Sequence, residues 1–148
     1  LIDGSVRTPD GFKEAYKSFA DSGWVSAAVA EDAGGDGLPG SVVAALTEFW
    51  NGANAAFALC PSLSHGAIRA LHANGSQELR DTYLPKMVSG EWTGTMNLTE
   101  PQAGSSLSDV KTRATPTTQG HYLIHGSKIF ISGGDHDLVR TINRNLAT

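Results

Sequence analysis

Residues 96–106 read MNLTEPQAGSS, a run of strand-forming residues that changes abruptly into a turn. Pro101 lacks the amide proton that a continuing strand needs, so a strand is predicted to end at Thr99. Gly104 lets the backbone approach another molecule closely, and the hydroxyls of Thr99 and Ser105 add hydrogen-bond donors around it. Such a rim suits a planar heteroaromatic ligand with carbonyl groups and a pyrophosphate tail. An ordinary turn through Pro101 and Gly104 explains the same residues without any ligand.

The spacing of apolar residues changes from helical to strand-like near residue 91. Before it, Thr8 is predicted to cap a first helix, and further helices are predicted over 41–52 and 62–74. Ser76 carries a capping signal for one more helix, which Pro85 is expected to interrupt. After residue 91, strands are predicted over 92–98, 110–115, 121–125 and 128–132, with a turn over 118–120. The chain therefore reads as a helical piece followed by the start of a β piece.

The composition is that of a globular chain without the signs of nucleic-acid or membrane binding. Of 148 residues, 40% are hydrophobic and 18% are charged. The 11 basic and 15 acidic residues give a net charge of −4 with no basic cluster, which argues against nucleic-acid binding. No membrane span or secretory signal is predicted. The single cysteine, Cys60, excludes an internal disulfide and fits a reducing compartment.

Three other features have both a functional and a structural interpretation. The glycine-rich stretch 34–40 lacks the spacing of a phosphate-binding loop, so a connector between two helices is favoured. Asp135, His136 and Asp137 are metal-ligating residue types, but a turn after two glycines explains them and no metal site is predicted. Cys60 has no histidine partner at a fixed spacing, which favours a packed thiol over a nucleophile.

Four blocks of the sequence resemble, in order, those of the acyl-CoA dehydrogenase family. LTEPQAGS at residues 98–105 resembles the family's flavin-binding signature TEPxAGSD. GSKIFISGG at residues 126–134 resembles its G-x-K-x-[WF]-I-[ST]-x-G strand, and the spacing between these two blocks is that of the family. AEDAGGDG at residues 30–37 and YLPKMVSGE at residues 83–91 resemble two upstream blocks. Within the family, the later blocks are most similar to the subgroup that includes 3-methylmercaptopropionyl-CoA dehydrogenase.

The resemblance implies a fold, a cofactor and a reaction. The fold is α+β, with an N-terminal all-helical domain at 1–91 and an incomplete, β-barrel-like middle domain at 92–148. The cofactor is FAD, and the reaction oxidises an acyl-CoA thioester to its trans-2-enoyl form: a carboxylate removes the α-proton, and the β-hydrogen leaves as hydride to flavin N5. An electron-transfer flavoprotein then accepts the electrons. Family members are dimers or tetramers, so we expect a homo-oligomer, in the bacterial cytoplasm or the mitochondrial matrix.

The resemblance also implies the roles of individual residues. Thr99 and the backbone of Leu98 would bind the isoalloxazine edge of the flavin. Gly104 and Ser105 would lie by the flavin pyrophosphate, with Ser105 near the CoA portion of the substrate. Phe130 would pack on the flavin, where many relatives have Trp. Further flavin contacts are expected from Met96, Ile131 and Ser132.

Two departures from the family pattern bear on activity. Ser106 stands where the signature has Asp, which removes a charge from the loop. The catalytic carboxylate of the family comes from a C-terminal helical domain that this sequence lacks; Glu100 is not that base, and no catalytic residue is predicted. We therefore interpret the chain as a fragment of a FAD-dependent acyl-CoA dehydrogenase that is inactive by itself. The alternatives are an acyl-CoA oxidase of the same fold and a non-catalytic binding or assembly module.

Overall fold

The computed structural model describes residues 4–141, which divide into two compact units. The first, called the helical unit, contains residues 4–96 and 132–141. The second, called the hairpin unit, contains residues 97–131. Long helices precede short strands along the chain, so the predicted α+β fold class is confirmed.

Helix α1 spans Phe12–Asp21 and begins later than the sequence predicts. The predicted cap, Thr8, instead donates its hydroxyl to Asp137 Oδ1 at 2.7 Å and its amide to the same oxygen at 3.0 Å. Gly11 takes the N-cap position with φ +84°, a left-handed conformation that favours glycine. The predicted start is therefore wrong because a long-range hydrogen bond engages Thr8. The apolar face of the helix is as expected, with Tyr16 buried.

Helix α2 spans Gly40–Asn74 and joins what the sequence predicts as two helices. A kink at Asn54, with φ −162° and ψ 96°, separates its two arms. Asn54 Oδ1 accepts a hydrogen bond from the amide of Phe57 at 3.0 Å, as an N-cap side chain does. Pro61 lies inside the second arm and is buried, so the predicted helix start at residue 62 is wrong. The helix is instead kinked at Asn54, whose side chain caps the second arm.

Helix α3 spans Gln77–Val88. The side chain of Ser76 accepts from the amide of Leu79 at 3.3 Å, which confirms the predicted capping signal. Pro85 lies within the helix and does not interrupt it, so that part of the prediction is wrong. The helix instead ends at Val88, and Gly90, just after the C-cap residue Ser89, has a φ of +79° that favours glycine.

The core of the helical unit lies between the loop after α1, the second arm of α2 and one face of α3. Its buried cluster consists of Val29, Ala33, Ile68, Leu84, Met87 and Val88. Gly94 packs closely beside it: an added Cβ would lie 2.4 Å from the Cβ of Ala67 and 3.0 Å from Met87 Cε. Among the described helices, none has the length and apolar character needed to cross a membrane.

The strands are short and form two separate pairs. Strands β1 (Trp92–Thr93) and β4 (Arg140–Thr141) pair in parallel within the helical unit. Strands β2 (Arg113–Pro116) and β3 (Tyr122–His125) form an antiparallel hairpin. The turn predicted over 118–120 is confirmed, with Gly120 at φ +81°.

Two of the predicted strands differ from the structure. Only two residues of the strand predicted over 92–98 are extended and paired. Residues 128–132 form no strand, and Phe130 has φ +56°. The amide of Ile129 donates to the carbonyl of Thr99 at 3.0 Å, and the side chain of Lys128 binds the same segment. Hydrogen bonds to residues 98–100 therefore replace a strand ladder here.

Candidate functional site

The hairpin unit contains most of the residues predicted to bind flavin, and it brings the two signature blocks together. The bond from the amide of Ile129 to the carbonyl of Thr99 joins the second block to the first. The predicted residues in this unit are Leu98, Thr99, Gly104, Ser105, Phe130 and Ile131. Met96 and Ser132 belong to the helical unit, where the hydroxyl of Thr95 donates to the carbonyl of Ser132 at 2.5 Å.

A tight turn exposes the donors of the first block. The amide of Ala103 donates to the carbonyl of Glu100 at 3.0 Å, and the reverse bond has the same length. Gly104 and Ser105 follow this turn and are exposed. Within residues 4–141, the amides of Gly104 and Ser105 donate to no protein acceptor. A turn is therefore present here, and it leaves two backbone donors available to a ligand.

Glu100 is the most strongly bound side chain of the hairpin unit, with only 3% of its surface exposed. Its Oε1 accepts from Lys128 Nζ at 2.7 Å and from the amide of Thr112 at 2.9 Å. Its Oε2 accepts from the amide of Lys111 at 2.8 Å and from the side chain of Gln102. The hydrogen bonds from Lys128 Nζ and from the amides of Lys111 and Thr112 hold the pKa of Glu100 well below its usual range.

Three apolar residues predicted to lie at the flavin have side chains that are open to solvent. Phe130 is 86% exposed, Met96 60% and Leu98 38%. Large apolar side chains that are exposed beside hydrogen-bond donors are typical of ligand or protein contact surfaces. These exposures provide apolar surface for a ring, within each unit separately.

Sequence reasoning missed a polar cluster inside the helical unit. The Sγ of Cys60 lies 3.7 Å from Nε2 of His136, and the hydroxyl of Thr93 lies 3.0 Å from the same nitrogen. Burial raises the pKa of Cys60 to about 11 and lowers that of His136. The cysteine is therefore a protonated thiol beside a neutral imidazole, which favours the packed-thiol interpretation. No sequence signal joins Cys60 to His136, because they lie 76 positions apart.

The candidate metal ligands at 135–137 and the glycine-rich stretch 34–40 also make hydrogen bonds within the protein. Asp137 accepts from Thr8 and pairs with Lys13 at 2.9 Å, and in the described part of the chain no group of three or more ligand-type side chains could hold a metal ion. In the glycine-rich stretch, the amides of residues 34–38 all donate to backbone carbonyls of residues 26–31. These five amides are therefore unavailable to a phosphate, which supports the connector interpretation.

A cavity of about 690 Å³ lies in the helical unit. One face of α3 and the loop after α1 form its walls. Asp32, Arg80 and Asp81 contribute charged side chains, and His72 contributes an imidazole. His72 Nε2 lies 3.4 Å from the carboxylate of Asp32. None of the predicted flavin or substrate residues lines this cavity.

Comparison with known proteins gives one consistent result. The model of the family described as acyl-CoA dehydrogenase, N-terminal domain, matches residues 5–91. The chain is 51% identical to 3-methylmercaptopropionyl-CoA dehydrogenase of Ruegeria pomeroyi, over 96% of this chain and 24% of that protein. It is 40% identical to a butyryl-CoA dehydrogenase of Syntrophomonas wolfei, over 93% of this chain and 23% of that protein.

Solved structures give the same result. An acyl-CoA dehydrogenase from Bacillus anthracis, crystallised in complex with FAD, is 31% identical to the chain with a TM-score of 0.68. The similarity covers 81% of this chain and 21% of that one. The chain thus spans about a quarter of the length of the curated relatives that it matches.

Proposed function

This chain belongs to the acyl-CoA dehydrogenase family, and we propose that it supplies the flavin-binding rim of an enzyme that oxidises an acyl-CoA thioester to trans-2-enoyl-CoA with FAD. The observation that carries the proposal is the meeting of the two signature blocks in the hairpin unit. The Ile129 amide and the Thr99 carbonyl join them at 3.0 Å, next to the exposed amides of Gly104 and Ser105.

The groups on this rim fit the chemistry of FAD. A flavin ring presents carbonyl oxygens and ring nitrogens, and its pyrophosphate is an anion, so both ends of the cofactor require donors. Thr99 and the backbone of Leu98 would hold the isoalloxazine edge, and Gly104 and Ser105 would hold the pyrophosphate. When bound, FAD supplies the two-electron acceptor that the oxidation needs.

The apolar side chains around the rim would cover the ring. Phe130, at 86% exposed, and Leu98, at 38%, offer that surface in the hairpin unit, and Ile131 follows Phe130. In the helical unit, Met96 would contribute in the same way and the hydroxyl of Ser132 would serve the flavin. Burial of these side chains against a cofactor would remove apolar area from water, which favours binding.

The carboxylates with clear pKa shifts are unsuited to removing the substrate's α-proton. Glu100 and Asp137 both accept several hydrogen bonds, and the pKa of each is held well below its usual range, by Lys128 for Glu100 and by Thr8 for Asp137. A carboxylate with a low pKa is a weak base. We therefore propose that neither carboxylate is the base. We also propose that the 148-residue chain by itself shows no turnover with acyl-CoA and an artificial acceptor.

The finer parts of the proposal concern domains and partners. We place the boundary between the helical domain and the middle β-domain at residues 91 and 92, which the match of the N-terminal domain model over 5–91 supports. The electron acceptor is proposed to be an electron-transfer flavoprotein, and the assembly a homo-dimer or homo-tetramer. Reaction with oxygen in place of the flavoprotein would identify an acyl-CoA oxidase instead.

Binding of FAD to the 148-residue chain tests the proposal, with Gly104→Ala as the informative variant. An added Cβ at Gly104 meets no protein atom within 4 Å, so it obstructs only a ligand that approaches the backbone. Gly66→Ala is the matched control, because Gly66 is exposed on α2 and its added Cβ also meets nothing within 4 Å. Flavin fluorescence and the visible absorbance retained after gel filtration measure binding.

We expect the wild type and Gly66→Ala to bind FAD equally, and Gly104→Ala to bind it about tenfold more weakly. Absence of binding by the wild type would contradict the proposal. Equal binding by all three chains would place the cofactor elsewhere and remove Gly104 from the site.

A further inference from the structure

Lys128 joins the buried carboxylate of Glu100 to the backbone at the flavin rim. Its Nζ donates to Glu100 at 2.7 Å and also to the carbonyl of Leu98 at 3.0 Å. The next residue, Ile129, donates its amide to the carbonyl of Thr99 at 3.0 Å. Protein donors therefore bind the carbonyls of Leu98 and Thr99, so the backbone groups that these two residues still offer a ligand are amide donors.

Glu100 in turn holds Lys128 in place. A carboxylate has about four positions for accepting hydrogen bonds, and four donors approach Glu100. Two of them are backbone amides, of Lys111 and Thr112, so the position of the carboxylate is set by the main chain. A charged group at 2% side-chain exposure needs an ionic partner, and Lys128, at 21% side-chain exposure, provides it.

We propose that Lys128, fixed by Glu100, is a positioning residue for the cofactor: it binds the Leu98 carbonyl and so directs the amide of Thr99, which belongs to the same planar peptide group, toward FAD. The inference rests on the proposed function, since it assigns a role within that same site. Lys128 acts through Leu98 and does not itself contact the cofactor. A donor array that is held in place before binding loses less conformational freedom when the ligand arrives, which strengthens binding.

Three variants of the 148-residue chain test the inference. Lys128→Met removes the ammonium group and keeps the length of the side chain, whereas Lys128→Arg keeps a cation. Lys111→Met is the matched control, because the side chain of Lys111 is exposed and only its amide binds Glu100. Three measurements apply to each: the dissociation constant of FAD, the shape of the visible band of bound FAD, and hydrogen–deuterium exchange of the Ile129 amide without FAD.

Lys128→Met is expected to weaken FAD binding about tenfold, since a charge-assisted hydrogen bond is lost and the Leu98 carbonyl is released. The visible band of bound FAD should change shape, and the Ile129 amide should exchange faster. Lys128→Arg should recover most of the affinity, and Lys111→Met should behave as the wild type. Circular dichroism checks the fold; if Lys128→Met unfolds the hairpin unit, Lys128→Gln replaces it with the same expectations in smaller measure.

Equal FAD affinity in Lys128→Met and Lys111→Met would overturn the inference, as would failure of Lys128→Arg to recover affinity. If the wild type binds no FAD, the proposed function of the chain fails instead. The exchange measurement then still tests the role of Lys128 by itself. Faster exchange of Ile129 in Lys128→Met than in Lys111→Met would support the positioning role, and equal exchange would refute it.

Discussion

The hydrogen bond between Tyr16 and Gly90 offers the sharpest test of how the helical unit is held together. The hydroxyl of Tyr16 donates to the carbonyl of Gly90 at 3.1 Å, and the tyrosine is 2% exposed. Tyr16→Phe removes this donor and keeps the ring, which packs against Phe57 with centroids 6.4 Å apart. The substitution therefore isolates one buried hydrogen bond between α1 and the end of α3.

The expected cost is about 1–2 kcal/mol, because a net hydrogen bond contributes roughly 1 kcal/mol and the Gly90 carbonyl loses a buried donor. With a urea m-value of about 2 kcal/mol/M, the midpoint should fall by about 0.5–1 M. Urea unfolding followed by helical circular dichroism measures it. Tyr122→Phe is the matched control, since Tyr122 is 63% exposed, and it should change stability by less than about 0.5 kcal/mol.

The pH dependence adds a second, independent readout. Burial, and secondarily the neighbouring Cys60, raise the pKa of Tyr16 well above its ordinary value of 10. A raised pKa in the folded state means that the unfolded chain loses this proton first. The contribution of Tyr16 to stability is therefore constant below pH 10 and is lost as the pH rises beyond it. Tyr16→Phe should lack this part of the alkaline loss. Equal midpoints for Tyr16→Phe and Tyr122→Phe, with identical alkaline profiles, would refute the reasoning.

Three further substitutions or reactions have defined outcomes. Ile68→Ala should destabilise the chain by about 2–5 kcal/mol in urea unfolding, because Ile68 is 1% exposed in the core. Ile124→Ala, at a site 72% exposed, should cost little, and similar losses for the two variants would refute the core assignment. Gly94→Ala should lower the free energy of unfolding by about 1–3 kcal/mol, because the added Cβ would collide with the Cβ of Ala67. Ala67→Gly in the same chain should restore part of this stability, and strictly additive effects of the two substitutions would argue against the contact. The thiol of Cys60, with a pKa of about 11, should hold a roughly 200-fold smaller thiolate fraction at pH 8 than a free cysteine. Iodoacetamide should therefore label the native chain far more slowly than the urea-unfolded chain, and equal rates would contradict the burial of the thiol.

The sequence predicted the structure well where the conformation depends on residues that are close together in the chain. Ser76 caps α3 through the amide three residues later, and Gly120 occupies the turn between β2 and β3. Each of these features depends on the conformation of a few consecutive residues. Such features can be read from residue type alone.

The prolines show where local propensity fails. Pro61 and Pro85 each cost a helix roughly 3 kcal/mol in isolation, which predicts a break. Pro61 is buried inside α2, and Pro85 lies in α3 between the buried Leu84 and Met87. Packing of these helical faces outweighs the propensity cost, and no window of sequence contains that information.

The candidate site was predictable in part for a similar reason. The residues of both signature blocks could be named from the resemblance, but the partner of Glu100 could not. Lys128 reaches Glu100 from 28 positions away, and this contact, together with the bond from Ile129 to Thr99, replaces the strand predicted over 128–132. β-branched residues such as Ile129 and Ile131 favour a strand locally, whereas the destination of their amides is decided by the tertiary structure.

The two hydrogen bonds from Thr8 to Asp137 constrain the order in which the chain folds. These residues are 129 positions apart, and the parallel pairing of β1 with β4 also requires residues beyond 139. The helical unit therefore cannot complete its contacts during synthesis until the entire hairpin unit has been made. If the β2–β3 hairpin forms first, it shortens the effective loop between residues 96 and 132 and lowers the entropy cost of closing it. Early hairpin formation would then speed the association of residues 132–141 with residues 4–96.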